Sequence, residues 1–169
     1  MEWIMKGRCW KFGDNLSTDG AVMPLPEARK SHDPQVLKDY IMTGVDPGFP
    51  GRARRGDIIV SGKNFGHGNP HVWGYNAIRE AGLGIIAESM ARGGLRNAVT
   101  AGVLFLPAAT GITKKVNQGD ELEVNFRTGE IKDITSGETI RTEPLPEPLL
   151  EIIAAGGQEG FIKQKFARK

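Results

Sequence analysis

Three short apolar runs constrain this chain more than anything else in it: Asp57-Ile58-Ile59-Val60, Gly84-Ile85-Ile86-Ala87 and Val103-Leu104-Phe105-Leu106. Each has the length and continuity of a strand buried on both faces. The intervening segments are long enough for helices, one from about Pro70 to Glu80 closed by Gly82, another from Leu95 to Thr100. Strand, helix, strand, helix, strand at this spacing implies right-handed crossovers and a parallel sheet. The 23 glycines and 10 prolines among 169 residues fit a turn-rich α/β chain rather than a helical bundle.

The flanks read differently. Residues 6–12 alternate and end at Gly13-Asp14-Asn15, a strand followed by a turn. A loop continues through Thr18-Asp19-Gly20 to Pro24 and Pro26. Asp33-Pro34 then has the form of an N-cap with proline at the first helical position, and Leu37, Tyr40 and Ile41 supply an apolar face that Gly44 stops. Residues 45–56 carry too many breakers to be anything but loop. After Pro107, Leu122, Val124 and Phe126 alternate with polar residues, and turns at Thr128-Gly129 and Ser136-Gly137 continue an antiparallel meander. A helix from Leu149 to Ala155 follows, closed by Gly156-Gly157. No internal repeat interrupts this pattern, and the length suits one domain, residues 1–169.

The chemistry concentrates in Lys63-Asn64-Phe65-Gly66-His67-Gly68-Asn69-Pro70-His71-Val72-Trp73. Gly66 and Gly68 allow a sharp turn between strand and helix, and Asn69-Pro70 repeats the cap-then-proline signal. Backbone N–H groups at such a helix start attract a carboxylate or phosphate. The bland alternative is a glycine turn that merely joins two elements. The turn is neither a dinucleotide fingerprint, because His71 stands at the third glycine position, nor a Walker A loop. His67 and His71 lie four apart, but His67 precedes the predicted cap and no third ligand is evident, so no metal is assigned here. Arg92 and Arg96 could serve a carboxylate, although exposed arginines on a helix are commoner. Arg29 and Lys30 lie in a loop able to cover a site. No Ser-His-Asp or Cys-His set can be ordered from these residues.

Several classes are excluded or disfavoured. A formal charge of +2 gives no electrostatic reason to expect nucleic acid or an anionic membrane as partner. The longest apolar stretch, residues 101–109, is too short to span a bilayer and contains Gly102 and Pro107. Cys9 is the lone cysteine, which rules out an internal disulfide or a cysteine-ligated cluster within the chain. A lone thiol and an amino terminus without a signal pattern point to the cytoplasm.

Collinear motifs run along nearly the whole chain: Gly13-Asp14-Asn15, Ser17-Thr18-Asp19, Gly56-Asp57-Ile58-Ile59-Val60, Gly62-Lys63-Asn64-Phe65-Gly66 and Ile86-Ala87-Glu88-Ser89. Arg96-Asn97, Gly119-Asp120-Glu121-Leu122 and Glu143-Pro144-Leu145-Pro146 extend the series. In these the chain resembles the isopropylmalate isomerase small subunits, equivalent to the swivelling domain of aconitase. The resemblance implies an α/β fold of the aconitase-like swivelling β/β/α type, with short parallel strands, crossover helices and a C-terminal antiparallel meander plus helix. It also implies a large catalytic subunit of the aconitase type as partner. A [4Fe-4S] cluster would sit in that subunit, no cofactor would be held in this chain, and the substrate would be a small 2-hydroxy di- or tricarboxylate that loses and regains water.

In the family the turn continues as Gly-Ser-Ser-Arg-Glu-His, whose first serine is the base and whose arginine grips a carboxylate. Here Gly68 is followed by Asn69 at the serine, Pro70 at the second serine and His71 at the arginine, while Val72 and Trp73 replace glutamate and histidine. Asn69 cannot accept a proton as an alkoxide would, and neutral His71 cannot form a bidentate clamp. Three accounts stand open: a hydro-lyase for another substrate, a partner in another reaction, or a catalytically silent scaffold or binding subunit. The retained glycines favour altered chemistry. His71 and Asn69 are then the candidate catalytic residues, and Gly66, His67, Gly68 and Arg29 the candidate substrate contacts.

Overall fold

The computed structural model describes residues 1–68 and 71–167. Strand β1 (Ile4–Lys11) is followed by α1 (Leu25–Lys30), α2 (Pro34–Leu37) with a 3₁₀ turn over Lys38–Tyr40, and α3 (Phe49–Arg52). Then come β2 (Ile58–Ser61), α4 (Trp73–Ala81), β3 (Gly84–Ala87), α5 (Arg92–Ala101), β4 (Phe105–Leu106) and α6 (Ile112–Lys115). The meander is β5 (Glu121–Asn125), β6 (Glu130–Asp133) and β7 (Thr139–Arg141), with α7 (Glu147–Ala154) and α8 (Gln158–Phe166) after it.

All seven strands form one sheet in the order β4-β3-β2-β1-β5-β6-β7. Strands β1 to β4 are parallel, with Cys9 opposite Ile58, Ile59 opposite Ile85 and Ile86 opposite Leu106. The other edge of β1 pairs antiparallel with β5, Gly7 opposite Leu122, and the meander continues from there. Alternation along the strands divides the apolar residues between two cores. Trp10, Ile59, Ile85 and Phe105 face Phe49, Phe65, Tyr75 and Ile78 among the helices. Cys9, Ile58, Val60, Ile86 and Leu106 face Leu122, Val124, Phe126 and Ile131 of the meander. The sheet therefore curls until its antiparallel half covers the second face of its parallel half. That is why the parallel strands read as unbroken apolar runs.

The helices depart from expectation where tertiary contacts intervene. Asp33 caps α2 as its sequence suggests, its carboxylate accepting from the Gln35 N–H at 2.9 Å, but the helix is one turn long before tightening into the 3₁₀ turn. The loop expected to run past Pro24 and Pro26 and to carry Arg29 and Lys30 instead contains α1, a short helix with proline in its first turn. The loop 45–56 contains α3, which seats buried Phe49 edge-on against Trp10 at 5.2 Å between ring centroids. Helix α4 starts at Trp73, three residues later than Pro70, with Val72 at the cap and no side-chain cap bond. The expected cap and first helical residue, Asn69 and Pro70, lie outside the described residues. Gly82 ends α4 in the left-handed conformation, as predicted (φ 71°). Helix α8, which has no counterpart in the sequence reading, buries none of its residues. No helix among the described residues is long and apolar enough to cross a membrane.

One carboxylate ties the start of β2 to β1, the strand shared by the parallel and antiparallel halves. The β1–β2 ladder begins at Cys9 and Ile58, so Arg8 lies just beyond it. Buried Asp57 accepts the Arg8 N–H at 2.9 Å, the Trp10 indole N–H at 2.8 Å and the Arg54 N–H at 2.9 Å. Asp57→Ala leaves three donors unpaired and is expected to lower the unfolding free energy by about 3 kcal/mol or more in urea titrations, with Asp57→Asn costing less.

Candidate functional site

Three loops leaving the C-terminal ends of β1, β2 and β3 meet at one place, the position where open α/β sheets bind ligands. The first carries Asn15–Asp19, the second Lys63–Gly68, the third Glu88–Ala91. They are cross-bonded almost as a small sheet. The Gly66 N–H donates to the Leu16 carbonyl at 2.8 Å, Thr18 N–H to the His67 carbonyl at 3.2 Å, and Phe65 N–H to the Ser89 carbonyl at 3.0 Å. Asn15 and Asn64 both adopt positive φ (57° and 60°), and the Asn64 amide donates to the Asn15 side-chain oxygen at 2.9 Å.

Gly66 stands in the left-handed region at φ 77°, and its neighbourhood admits no side chain. A Cβ there would strike the Tyr75 hydroxyl and would lie 2.9 Å from Gly94 Cα. A Cβ on Gly94 would likewise meet the Tyr75 hydroxyl at 2.7 Å and the Gly66 carbonyl at 2.8 Å. Two glycines on different elements thus let α5 pack directly against the turn. Tyr75 fills the space beneath, fully buried, its hydroxyl 3.3 Å from Thr18 Oγ1. Gly68, at φ 91°, is exposed with open space around it.

The candidate residues separate into two groups. His67 is a latch: its Nε2–H donates to the Asn15 carbonyl at 2.9 Å, tying the second loop to the first. His71 is held differently. Its ring Nδ1 is 2.6 Å from Asp19 Oδ2, and its backbone N–H lies 3.3 Å from Asp19 Oδ1. A carboxylate only accepts, so Nδ1 carries the proton and Nε2 is the ring's free atom. The His71 side chain is 42% exposed while that of Asp19 is 14% exposed, so the carboxylate is set into the protein and the imidazole lies at the surface. Trp73 stacks on the His71 ring at 4.2 Å, nearly coplanar at 5°, and also on His32 at 4.3 Å. Asp19 explains the late start of α4: it takes the N–H that a local cap would have taken, and supplies an anion where the sequence suggested a place for one.

Arg29, at the last turn of α1, is exposed, and among the described residues its side chain has no hydrogen-bond or ion-pair partner. Arg92 and Arg96 are exposed on α5. No contact joins any of these three to His71. Sequence reasoning did not assign roles to Asp19, Tyr75, Trp73 or His32. Asp19 lies within the Ser17-Thr18-Asp19 motif, the one available signal, but nothing local marks it as facing a histidine 52 residues away.

The chain's donors do not suit an iron–sulfur cluster. Cys9 is fully buried, and burial, with nearby Asp120, pushes its thiol up to about 12. Among the described residues no three His, Cys, Asp or Glu side chains are grouped to hold a metal ion.

Sheet, curl and converging loops define a swivelling-type small-subunit domain. No protein-family model matches the chain. It is 47% identical over 168 residues to the isopropylmalate/citramalate isomerase small subunit of Methanocaldococcus jannaschii, spanning 99% of this chain and 98% of that one. It is 36% identical over 169 residues to 3-isopropylmalate dehydratase small subunit 1 of Methanopyrus kandleri, spanning 99% and 98%. The methanogen homoaconitase small subunit of Methanothermobacter thermautotrophicus is 37% identical over 159 residues, spanning 93% and 89%. The crystal structure of a 3-isopropylmalate dehydratase from M. jannaschii matches with a TM-score of 0.89 at 36% identity, covering 97% of this chain and 96% of that one. The chain belongs to the 3-isopropylmalate dehydratase small-subunit family.

Burial raises the Tyr75 phenol from its ordinary 10.0 to about 12, against the smaller opposing effect of the Thr18 hydroxyl. The unfolded chain therefore loses this proton before the folded one does. Tyr75 contributes fully to stability below pH 10, and that contribution is lost as pH rises from 10 to about 12. Ultraviolet titration of the wild type beside Tyr75→Phe should show one phenolate transition near pH 12 that the variant lacks.

Proposed function

We propose that this chain is the small subunit of a cytoplasmic hydro-lyase that removes and restores water on a 2-hydroxy di- or tricarboxylate, working with a large subunit. Residues 1–169 act as one swivelling domain closing on that partner. The main support is the Asp19–His71 pair: a carboxylate set into the protein fixes one tautomer of a half-exposed imidazole beside the turn where this family keeps its catalytic residues. Relatives are named isopropylmalate/citramalate isomerase and homoaconitase small subunits, which supports this substrate class.

In this assignment His71 Nε2 takes or returns the proton that moves with water, or donates to a substrate carboxylate when protonated. Asp19 is its positioning residue: it accepts from Nδ1–H and fixes the ring's tautomer and orientation. Trp73 limits ring rotation by stacking. Gly66 and His67 give the turn its shape, since the Gly66 N–H and the His67 ring already have partners within the protein. Gly68 supplies the open side of the turn, and Arg29 an exposed positive charge in the last turn of α1. The resemblance assigns a [4Fe-4S] cluster to the large subunit, where it would supply Lewis-acid chemistry toward the departing hydroxyl.

The test is reconstitution with the large subunit, using citramalate and isopropylmalate as probes. His71→Ala should lower turnover roughly 10²-fold or more, the usual scale for a general acid or base. Asp19→Asn should leave the fold intact, lower turnover less and displace the pH–rate profile. His71→Arg restores a permanent charge without a titrating group, so it should improve KM for family substrates without restoring turnover. Unchanged rates in all three variants would make the subunit a scaffold and overturn the assignment.

A further inference from the structure

At the opposite end of β2 from the three loops lies a cavity of about 450 Å³, bounded by β1, the α3–β2 connection and the start of β5. Its walls carry three guanidinium groups, from Arg8, Arg52 and Arg54, with Asp57 and Glu121 as the acidic residues. The charges do not cancel. Arg52 is matched by Asp46, whose carboxylate oxygen lies 2.6 Å from its Nη2, and Glu121 is matched by Lys6 at 3.2 Å. That leaves Arg8 and Arg54 against Asp57. The Asp57 carboxylate is turned inward and already accepts three N–H bonds. No carboxylate pairs with either arginine among the described residues. Among the described residues the Arg54 guanidinium donates only to the carbonyls of Gly51 and Ala53, at 3.0 and 2.9 Å.

The guanidinium groups are also placed rather than loose. Arg52 lies over the Trp10 ring at 5.1 Å and Arg8 over the same ring at 5.9 Å. Trp10 is itself only 3% exposed and is fixed by its bond to Asp57. The buried indole thus lies under Arg8 and the Asp46-paired Arg52, while Arg54 is held at the same cavity by the Gly51 and Ala53 carbonyls. Planar forks held in position match oxyanions bidentately, and a cavity of this size suits a small ligand.

We propose that this cavity binds a small doubly charged oxyanion, either a phosphate or a dicarboxylate, between Arg8 and Arg54. The full chain would be titrated with inorganic phosphate and, separately, with malonate at constant ionic strength, and followed by amide NMR. Saturable shifts confined to the residues around Gly7, Arg8, Arg54 and Gly119 are expected. The Arg8→Gln/Arg54→Gln variant should weaken binding at least tenfold while melting at the wild-type temperature, and Lys163→Gln should leave binding unchanged. Tighter phosphate than malonate binding identifies a phosphorylated ligand, and the reverse a dicarboxylate; either supports the site. Linear, non-saturating shifts, or saturation indifferent to the double variant, overturn it. Loss of large-subunit binding in the double variant, without anion saturation in the wild type, would make the cavity a protein contact and equally overturn the proposal.

Discussion

Strand β1 is the constraint on which the rest of the molecule depends. It pairs parallel on one edge and antiparallel on the other, so it joins a crossover α/β unit to a meander within one sheet. A parallel sheet needs both faces covered. Helices cover one face, and the curl that starts at β1 brings the meander over the other. Phe126 closes tightly enough that a Cβ on Gly84 would lie 2.6 Å from its ring. Asp57 stabilises this junction where the parallel ladder runs out, giving a partner to each donor that the change of direction exposes.

The same architecture positions the candidate site. Loops from three adjacent parallel strands emerge on one side, and their backbones bond to one another before any side chain contributes. The turn at Gly66 is therefore rigid on account of its neighbours, chiefly Tyr75 and Gly94. On this frame Asp19 holds His71, and Trp73 stacks on it. An imidazole fixed by a carboxylate exchanges a permanent, bidentate charge for a titratable one.

The sequence by itself determined the strands and much of the punctuation. The runs at 58–61 and 84–87, the alternation at 121–125, the stop at Gly82 and the cap at Asp33 are local. Each follows from side-chain periodicity or from the backbone freedom of one residue, and none depends on a distant partner. The collinear motifs placed the chain in its family for the same reason, since they mark turns and strand ends that the fold needs. Only the tertiary structure decided where α4 begins, because the residue that takes the His71 N–H is Asp19, on a loop 52 positions earlier. It also decided that His67 bonds a loop carbonyl while His71 meets a carboxylate, although both are histidines flanking the same turn. Hydrogen bonding between loops, and the burial that sets which partner each polar group meets, are properties of the assembled sheet; no window of sequence contains both members of such a pair.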